Sequence, residues 1–379
     1  MKSDKSGSGF HHYPFYAPRF WHGMRPVTWW KLLSQLRFKV TFSSLPLLVG
    51  VSVATPFNTA MAWMQALLFG KRIRETQLAG APVFIVGHWR SGTTMLHELL
   101  SLDERFGSPT TYQCFAPSHF LVSQWFFRRF ATWLLPGRRP MDNMAAGWDR
   151  PQEDEFALMN LGLPSPYRRI AMPIDPRVDI EYLDLCSDSI SDDDRESWLA
   201  GLRKFLQTVT VSCGRPLIIK SPTHTGRVGF LADAFSGSKF IHITRDPRTL
   251  YASTLRLWKS LDEVQSVTHT NHESLPNYVI SCFDQMYKGF DRDFANIDRQ
   301  RIIEIRYEDL VSDPANTLRR VYEELALGDF SHIQEPLLHW VETVHRGYQS
   351  NRHELESEDR ERVETNMASY IQRYGYERD

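Results

Sequence analysis

Four short runs of consecutive apolar residues punctuate the chain, each followed by a polar loop and then by a helical pattern. Val83–Phe84–Ile85–Val86 is the first, and unbroken apolar character over so few residues marks a strand buried on both faces. Leu217–Ile218–Ile219 is the second and opens into Lys220–Ser221–Pro222. The third, Lys239–Thr244, ends at Arg245–Asp246–Pro247, with proline where the first turn of a helix tolerates it. The fourth, Arg301–Arg306, ends at Tyr307–Glu308–Asp309–Leu310. Helical segments separate all four. Strands alternating with helices predict βαβ units, and hence an α/β fold with a central parallel sheet flanked by helices. Ligands of such sheets bind beyond the carboxyl ends of the strands, where each of these loops falls.

Two stretches lie outside this alternation. About 130 residues separate the first and second strands, far more than one crossover needs. The expected organisation is therefore an α/β domain over 81–379, an inserted helical lobe over 111–210 and an N-terminal helical extension over 1–80. Within the lobe, Phe115, Phe120, Trp125, Phe126 and Trp133 are placed to line an acceptor pocket or to form the lobe's own core. In the extension, Val40 to Gly70 holds no charged residue, with Lys39 before it and Lys71 and Arg72 after. About 20 apolar residues suffice to span a bilayer, but Pro46, Pro56, Asn58, Thr59 and Gln65 interrupt this run. Two short helices packed on the domain are the first expectation. A peripheral membrane contact through residues 40–70, helped by nearby tryptophans, is the second.

Composition narrows the classes. Hydrophobic residues at 42% and charged residues at 23% exclude a disordered or collagen-like chain and a polytopic membrane protein. Forty-four Lys+Arg against forty-five Asp+Glu lack the basic excess of a duplex binder, so nucleic acid is not an expected partner. The cysteines at 114, 186, 213 and 282 form no CxxC pair, which argues against structural zinc and for a reduced, cytoplasmic protein, with membrane association as an addition.

The loop after the first strand reads Gly87-His-Trp-Arg-Ser-Gly-Thr-Thr94. A strand, a loop with glycines five apart and a helix start form an anion cradle of the P-loop type. Thr93 stands where nucleotide triphosphatases carry lysine, and the cation moves back into the loop as Arg90. A GTPase or kinase is thereby disfavoured.

With these residues in place, the sequence resembles the sulfotransferases that use 3′-phosphoadenosine-5′-phosphosulfate (PAPS), in the branch whose loop reads xPRSGTT. Three blocks carry the resemblance across residues 82–326: Arg90-Ser-Gly-Thr-Thr94; Arg245 with Ser253 eight residues on; and Arg306-Tyr-Glu-Asp-Leu with Asp313–Pro314. The resemblance implies that Arg90, Ser91, Gly92, Thr93 and Thr94 wrap the 5′-phosphosulfate. It implies that Arg245 and Ser253, on nearly one helix face, grip the 3′-phosphate. Tyr307 is expected near the adenine. A salt bridge of Arg245 with Asp246, and a core role for Tyr307, are the plain alternatives. The family's C-terminal RKGxxGxWK segment is absent; Arg346 and Arg352, in His345-Arg-Gly-Tyr-Gln-Ser-Asn-Arg, are expected to close over the nucleotide instead.

The implied activity moves the sulfuryl group of PAPS to a hydroxyl of a carbohydrate or small-molecule acceptor by in-line displacement, with no metal. Arg90 and then Lys220 are the expected stabilisers of the leaving group, Lys220 having an exposed strand-end lysine as its alternative. The general base is sought among Glu153, Asp154 and Glu155, in His224 and in His97, with Glu153 and Asp154 favoured because crowding of buried carboxylates raises a pKa toward useful values. The competing readings are a P-loop nucleotide kinase or NTPase, and a membrane-associated nucleotide-binding scaffold without turnover.

Overall fold

The computed structural model describes residues 17–36, 40–135, 147–173, 178–343 and 355–377. Its centre is a sheet of four parallel strands in the order β2-β1-β3-β4, where β1 is Val83–Val86, β2 Ile218–Lys220, β3 Lys239–Thr244 and β4 Ile302–Arg306. Ile85 faces Lys220 on one side and Ile241 on the other, and Thr244 pairs with Arg306. The chain steps from β1 to β2 and then crosses to β3 on the opposite side of β1. The carboxyl end of β1 therefore opens into a crevice, and the loops after all four strands gather there.

The helices follow in chain order. Ahead of the sheet are α1 (Pro26–Gln35) and α2 (Leu45–Glu75), and α3 (Thr93–Leu100) leaves the phosphate loop. The long connection holds α4 (Thr111–Phe115), α5 (Phe120–Phe130), α6 (Asp154–Leu161) and α7 (Asp192–Cys213). Next come α8 (Val228–Ala234), α9 (Pro247–Gln265) and α10 (Leu275–Phe294), and after β4 stand α11 (Tyr307–Ser312), α12 (Pro314–Glu324) and α13 (Ser331–Thr343). The described C-terminal helices are α14 (Ser357–Asn366) and α15 (Ala368–Tyr374).

Strand alternation sorts the sheet's side chains into two cores. Phe84, Val86 and Phe240 point into the larger one, shared with α7, α9 and α10, while Val83, Ile85, Ile241 and Ile303 join α3 and α12 on the other face. Residues before the sheet belong to the larger core as well. Trp21 is fully buried and donates its indole N–H to the carbonyl of Gln265 at 2.7 Å.

The structure corrects the expectation of two short helices over 40–70. One helix, α2, runs from Leu45 to Glu75 through Pro56. Pro46 lies in the first turn, where its missing N–H costs nothing. Pro56 removes an interior hydrogen bond at a cost of about 3 kcal/mol, offset by polar docking of one helix face. Asn58 donates to the carbonyls of His22 at 2.6 Å and Met24 at 2.8 Å. Gln65 donates to Ser118 O at 3.1 Å and accepts from Leu121 N–H at 2.8 Å. The polar residues that break the apolar run are thus its anchors.

Among the buried histidines are His88, His97 and His119. Burial lowers His88 and His119 to about 4 and His97 to about 3, the last helped by the charge of Lys220. In the unfolded chain they take up protons near pH 6.5, so below that value the unfolded state binds more protons and stability falls as pH falls. The loss is about 2 kcal/mol per histidine at pH 5 and levels off near pH 4 for His88 and His119 and near pH 3 for His97. Thermal unfolding should show a melting temperature clearly lower at pH 5.5 than at 7.5; an equal or higher value at 5.5 would contradict these buried neutral rings.

Candidate active site

The phosphate loop is built on unusual backbone. Gly87, Arg90 and Gly92 have φ of 144°, 70° and 107°. A Cβ on Gly92 would lie 2.4 Å from Cδ2 of Tyr307, so only glycine fits there. Gly92 is also the N-cap of α3, which directs the first free N–H groups of that helix at the loop. Arg90, Gly92 and Thr94 are half-buried and alternate with buried Ser91 and Thr93. The Ser91 hydroxyl is buried without a hydrogen-bond partner among the described residues. An orphaned hydroxyl, converging amides and a guanidinium fit an anionic group.

The second block meets the first. Arg90 Nε donates to Ser253 Oγ at 2.9 Å, and Arg245 Nη1 donates to the Arg90 carbonyl at 2.9 Å. Residues 155 and 163 positions away in sequence thus sit on one side of the loop. Asp246 turns elsewhere: it caps α9 by accepting from Arg248 N–H at 2.9 Å. Tyr307 is buried, with the Arg245 guanidinium carbon 4.0 Å from its ring centroid and Gly92 packed on the ring. Its ring is a platform for Arg245 and for the loop.

Two residues near the C-terminus were missed in the sequence. Tyr370 accepts from the backbone N–H of Arg245 at 3.1 Å and donates to its carbonyl at 3.3 Å. The Tyr376 carbonyl accepts from Arg248 at 3.0 Å. Together they fix the turn from β3 to α9. Arg346 and Arg352 lie outside the described residues.

Lys220 and the acidic cluster are drawn together in register. Lys220, 1% exposed at the end of β2, donates to Glu153 Oε1 at 2.7 Å and approaches Thr94 Oγ1 at 3.4 Å. Lys220 is therefore no exposed strand-end lysine. The other Glu153 oxygen accepts from the Tyr167 hydroxyl, which in turn accepts from the Trp89 indole at 2.9 Å. Burial and the neighbouring Glu153 charge hold Tyr167 well above its ordinary pKa, so it keeps its proton and donates. Glu153 retains 14% side-chain exposure.

Its two neighbours face inward. Asp154 accepts from Ser221 at 2.6 Å and contacts His224 Nε2 at 2.9 Å, while Glu155 accepts from Thr223 and Arg227, each at 2.7 Å. Arg227 only donates, so its 3.3 Å contact makes Nδ1 of His224 an acceptor and leaves the Nε2–H for Asp154. Burial alone would raise the Asp154 pKa, but His224, Ser221 and Arg227 outweigh it and hold the carboxyl low. Asp154 and His224 are both buried and hydrogen-bonded to one another, and Asp154 also accepts from Ser221. His97 is likewise buried and neutral. Of the lobe aromatics, Phe115 and Phe120 are core, whereas Trp125, Phe126 and Trp133 are exposed.

Known proteins match this architecture. A family model described as "Sulfotransferase family" matches residues 82–332. The ω-hydroxy-β-dihydromenaquinone-9 sulfotransferase Stf3 of Mycobacterium tuberculosis is 39% identical over 378 residues, covering all of this chain and 96% of its own. Among solved structures, sulfotransferase STF9 of Mycobacterium avium superposes with a TM-score of 0.67 at 16% identity, covering 93% of this chain and 96% of its own. STF1 of Mycobacterium tuberculosis gives 0.61 at 15%, covering 90% of each chain. The last two speak for the fold; the family model and the full-length relative go further, and against a kinase, an NTPase or a scaffold without turnover. The chain is a member of the sulfotransferase family and an enzyme that moves a sulfuryl group to a small-molecule acceptor.

Proposed function

We propose that the donor is PAPS and that the acceptor is a hydroxyl on a long-chain, lipid-like molecule of the kind named for Stf3, rather than a carbohydrate. The observation that carries the donor is the joining of Arg90 to Ser253 and of Arg245 to Arg90 at the mouth of the phosphate loop. A nucleotide phosphorylated at both the 5′ and 3′ positions needs two adjacent anion sites, and a triphosphate in line does not. The residues fit that group: Ser91 to Thr94 offer amides and an orphaned hydroxyl, and Arg90, Arg245 and Lys220 offer positive charge. No metal enters the scheme.

In the transfer, the acceptor oxygen bonds to sulfur while the bond from sulfur to the bridging oxygen breaks, and the electron pair stays on the 5′-phosphate. Glu153 takes the acceptor's proton. Lys220, between Glu153 and Thr94, stabilises the charge that grows on the leaving phosphate. Tyr167 and Trp89 orient Glu153. We also propose a peripheral membrane contact through residues 40–70, which brings a lipid acceptor within reach.

Incubation with radiosulfur-labelled PAPS and a total lipid extract tests this reading. Label is expected in the organic phase. Label confined to water-soluble sugars would overturn the lipid acceptor and leave the donor standing; no label in any fraction would overturn both.

A further inference from the structure

The surface of α2 is inverted relative to an ordinary surface helix. Its buried side carries Val51, Thr55, Asn58, Gln65 and Ile73, anchored by the polar contacts described above. Its solvent side carries Val49, Val53, Phe57, Trp63, Leu67 and Leu68, with Leu67 85% and Trp63 73% exposed. At about 100° per residue these six fall within an arc of roughly 140°, opposite the buried face. A water-soluble surface helix presents its polar face outward, so this stripe lacks its covering among the described residues.

A second cluster lies beside it. α5 begins against α2, where Gln65 meets Leu121, and ends in exposed Trp125, Phe126 and Phe130, followed by Trp133. Phe126 and Phe130 ring centroids are 5.2 Å apart, so these rings form a connected apolar patch. Basic residues predominate around both clusters, with Glu75 beside Lys71 at 3.9 Å and Asp149 beside Arg128 as the acids among them. Residues 5–74 contain nine Lys and Arg and no Asp or Glu, and residues 105–141 also lack any acid, although the whole chain is balanced at −1. Lys71 and Arg74 fall on the apolar arc at the end of α2, and Arg128 and Arg129 close α5, Arg128 paired with Asp149 at 2.7 Å.

From this juxtaposition we infer that α2 and α5 together form a docking face for an anionic lipid bilayer, inserting apolar and aromatic side chains while the flanking Lys and Arg meet the headgroups. Aromatic rings at an apolar boundary bordered by cations are the chemistry of a membrane–water interface, and not of a second protein surface, which would present acids to these bases. One described helix, Phe42–Glu75, is long and apolar enough to cross a membrane by length and composition. Docking of its Asn58 and Gln65 side on the protein body keeps it lying along the surface. This extends the contact proposed above from one helix to two. The same insertion, α4 to α7, holds α5 and the Glu153 end of α6, so the face and the candidate base belong to one lobe.

Flotation of the full chain with vesicles of phosphatidylcholine, with and without phosphatidylglycerol, tests the inference without any acceptor or donor. The wild type is expected to float with the anionic vesicles and to bind zwitterionic ones roughly tenfold less. Trp63→Ser/Leu67→Ser and Trp125→Ser/Phe126→Ser, checked for unchanged thermal unfolding, should each lower partitioning by roughly tenfold or more. Loss in the α2 variant with wild-type binding in the α5 variant would overturn the two-helix face and leave the single-helix contact. Wild-type protein that binds neither vesicle, or that sediments as a dimer dispersed by these substitutions, would overturn the membrane altogether.

Discussion

Replacing Lys220 with methionine lowers turnover by roughly 10²–10³-fold in the expected result, with kcat and kcat/KM falling together. Methionine keeps the stem that fills the end of β2, so the change removes the ammonium from a position where it is 1% exposed and touches both Glu153 and Thr94. A charge in so dry a place acts strongly on the developing negative charge of the leaving phosphate and less on the bound ground state. Glu153→Gln keeps the shape and one accepting oxygen but replaces the other with a donating NH2 and removes the proton acceptor, at roughly 10²–10⁴-fold. Because the two side chains are 2.7 Å apart and act as one device, the double variant should be little worse than the poorer single one. Steady-state kinetics on all three variants check this. A Lys220→Met enzyme within about threefold of wild type would reduce that lysine to a structural partner of Glu153.

The sequence carried the sheet clearly and the lobe poorly, for physical reasons. Strands buried on both faces must be continuously apolar, so β1 and β3 are found at Val83–Val86 and Lys239–Thr244, as their runs predict. The loops at their ends are local in sequence, and Arg90, Arg245 and Ser253 could be named from spacing and resemblance. The partners that orient Glu153 were illegible: Trp89 and Tyr167 are 78 residues apart, and nothing local marks the tyrosine. Asp154 and Glu153 look alike in sequence, but the first turn of α6 points one into the core and leaves the other at the site. Tyr370 had a faint signal, its spacing from Tyr374 and Tyr376 near the end of the chain. In α2 the polar residues read as interruptions because period alone cannot say which face of a helix meets the protein and which meets its surroundings.

The largest effect on nucleotide binding should come from Arg245→Ala. Its guanidinium spans the Arg90 carbonyl and the Tyr307 ring, and the turn that holds it is pinned on both sides of the peptide by Tyr370. Removing one partner of a charged hydrogen-bonded pair costs about 2–5 kcal/mol, or roughly 30- to 3,000-fold in affinity. Ser253→Ala, which also removes the acceptor of the Arg90 Nε–H, should cost roughly tenfold. The decisive comparison is calorimetric titration of wild type and Arg245→Ala with adenosine 3′,5′-bisphosphate and with adenosine 5′-phosphate. Wild type should prefer the bisphosphate by roughly 30-fold or more, and the substitution should erase that preference while sparing the monophosphate. Equal affinity of wild type for the two nucleotides, or a preference that survives in Arg245→Ala, would contradict a second phosphate site beside the loop.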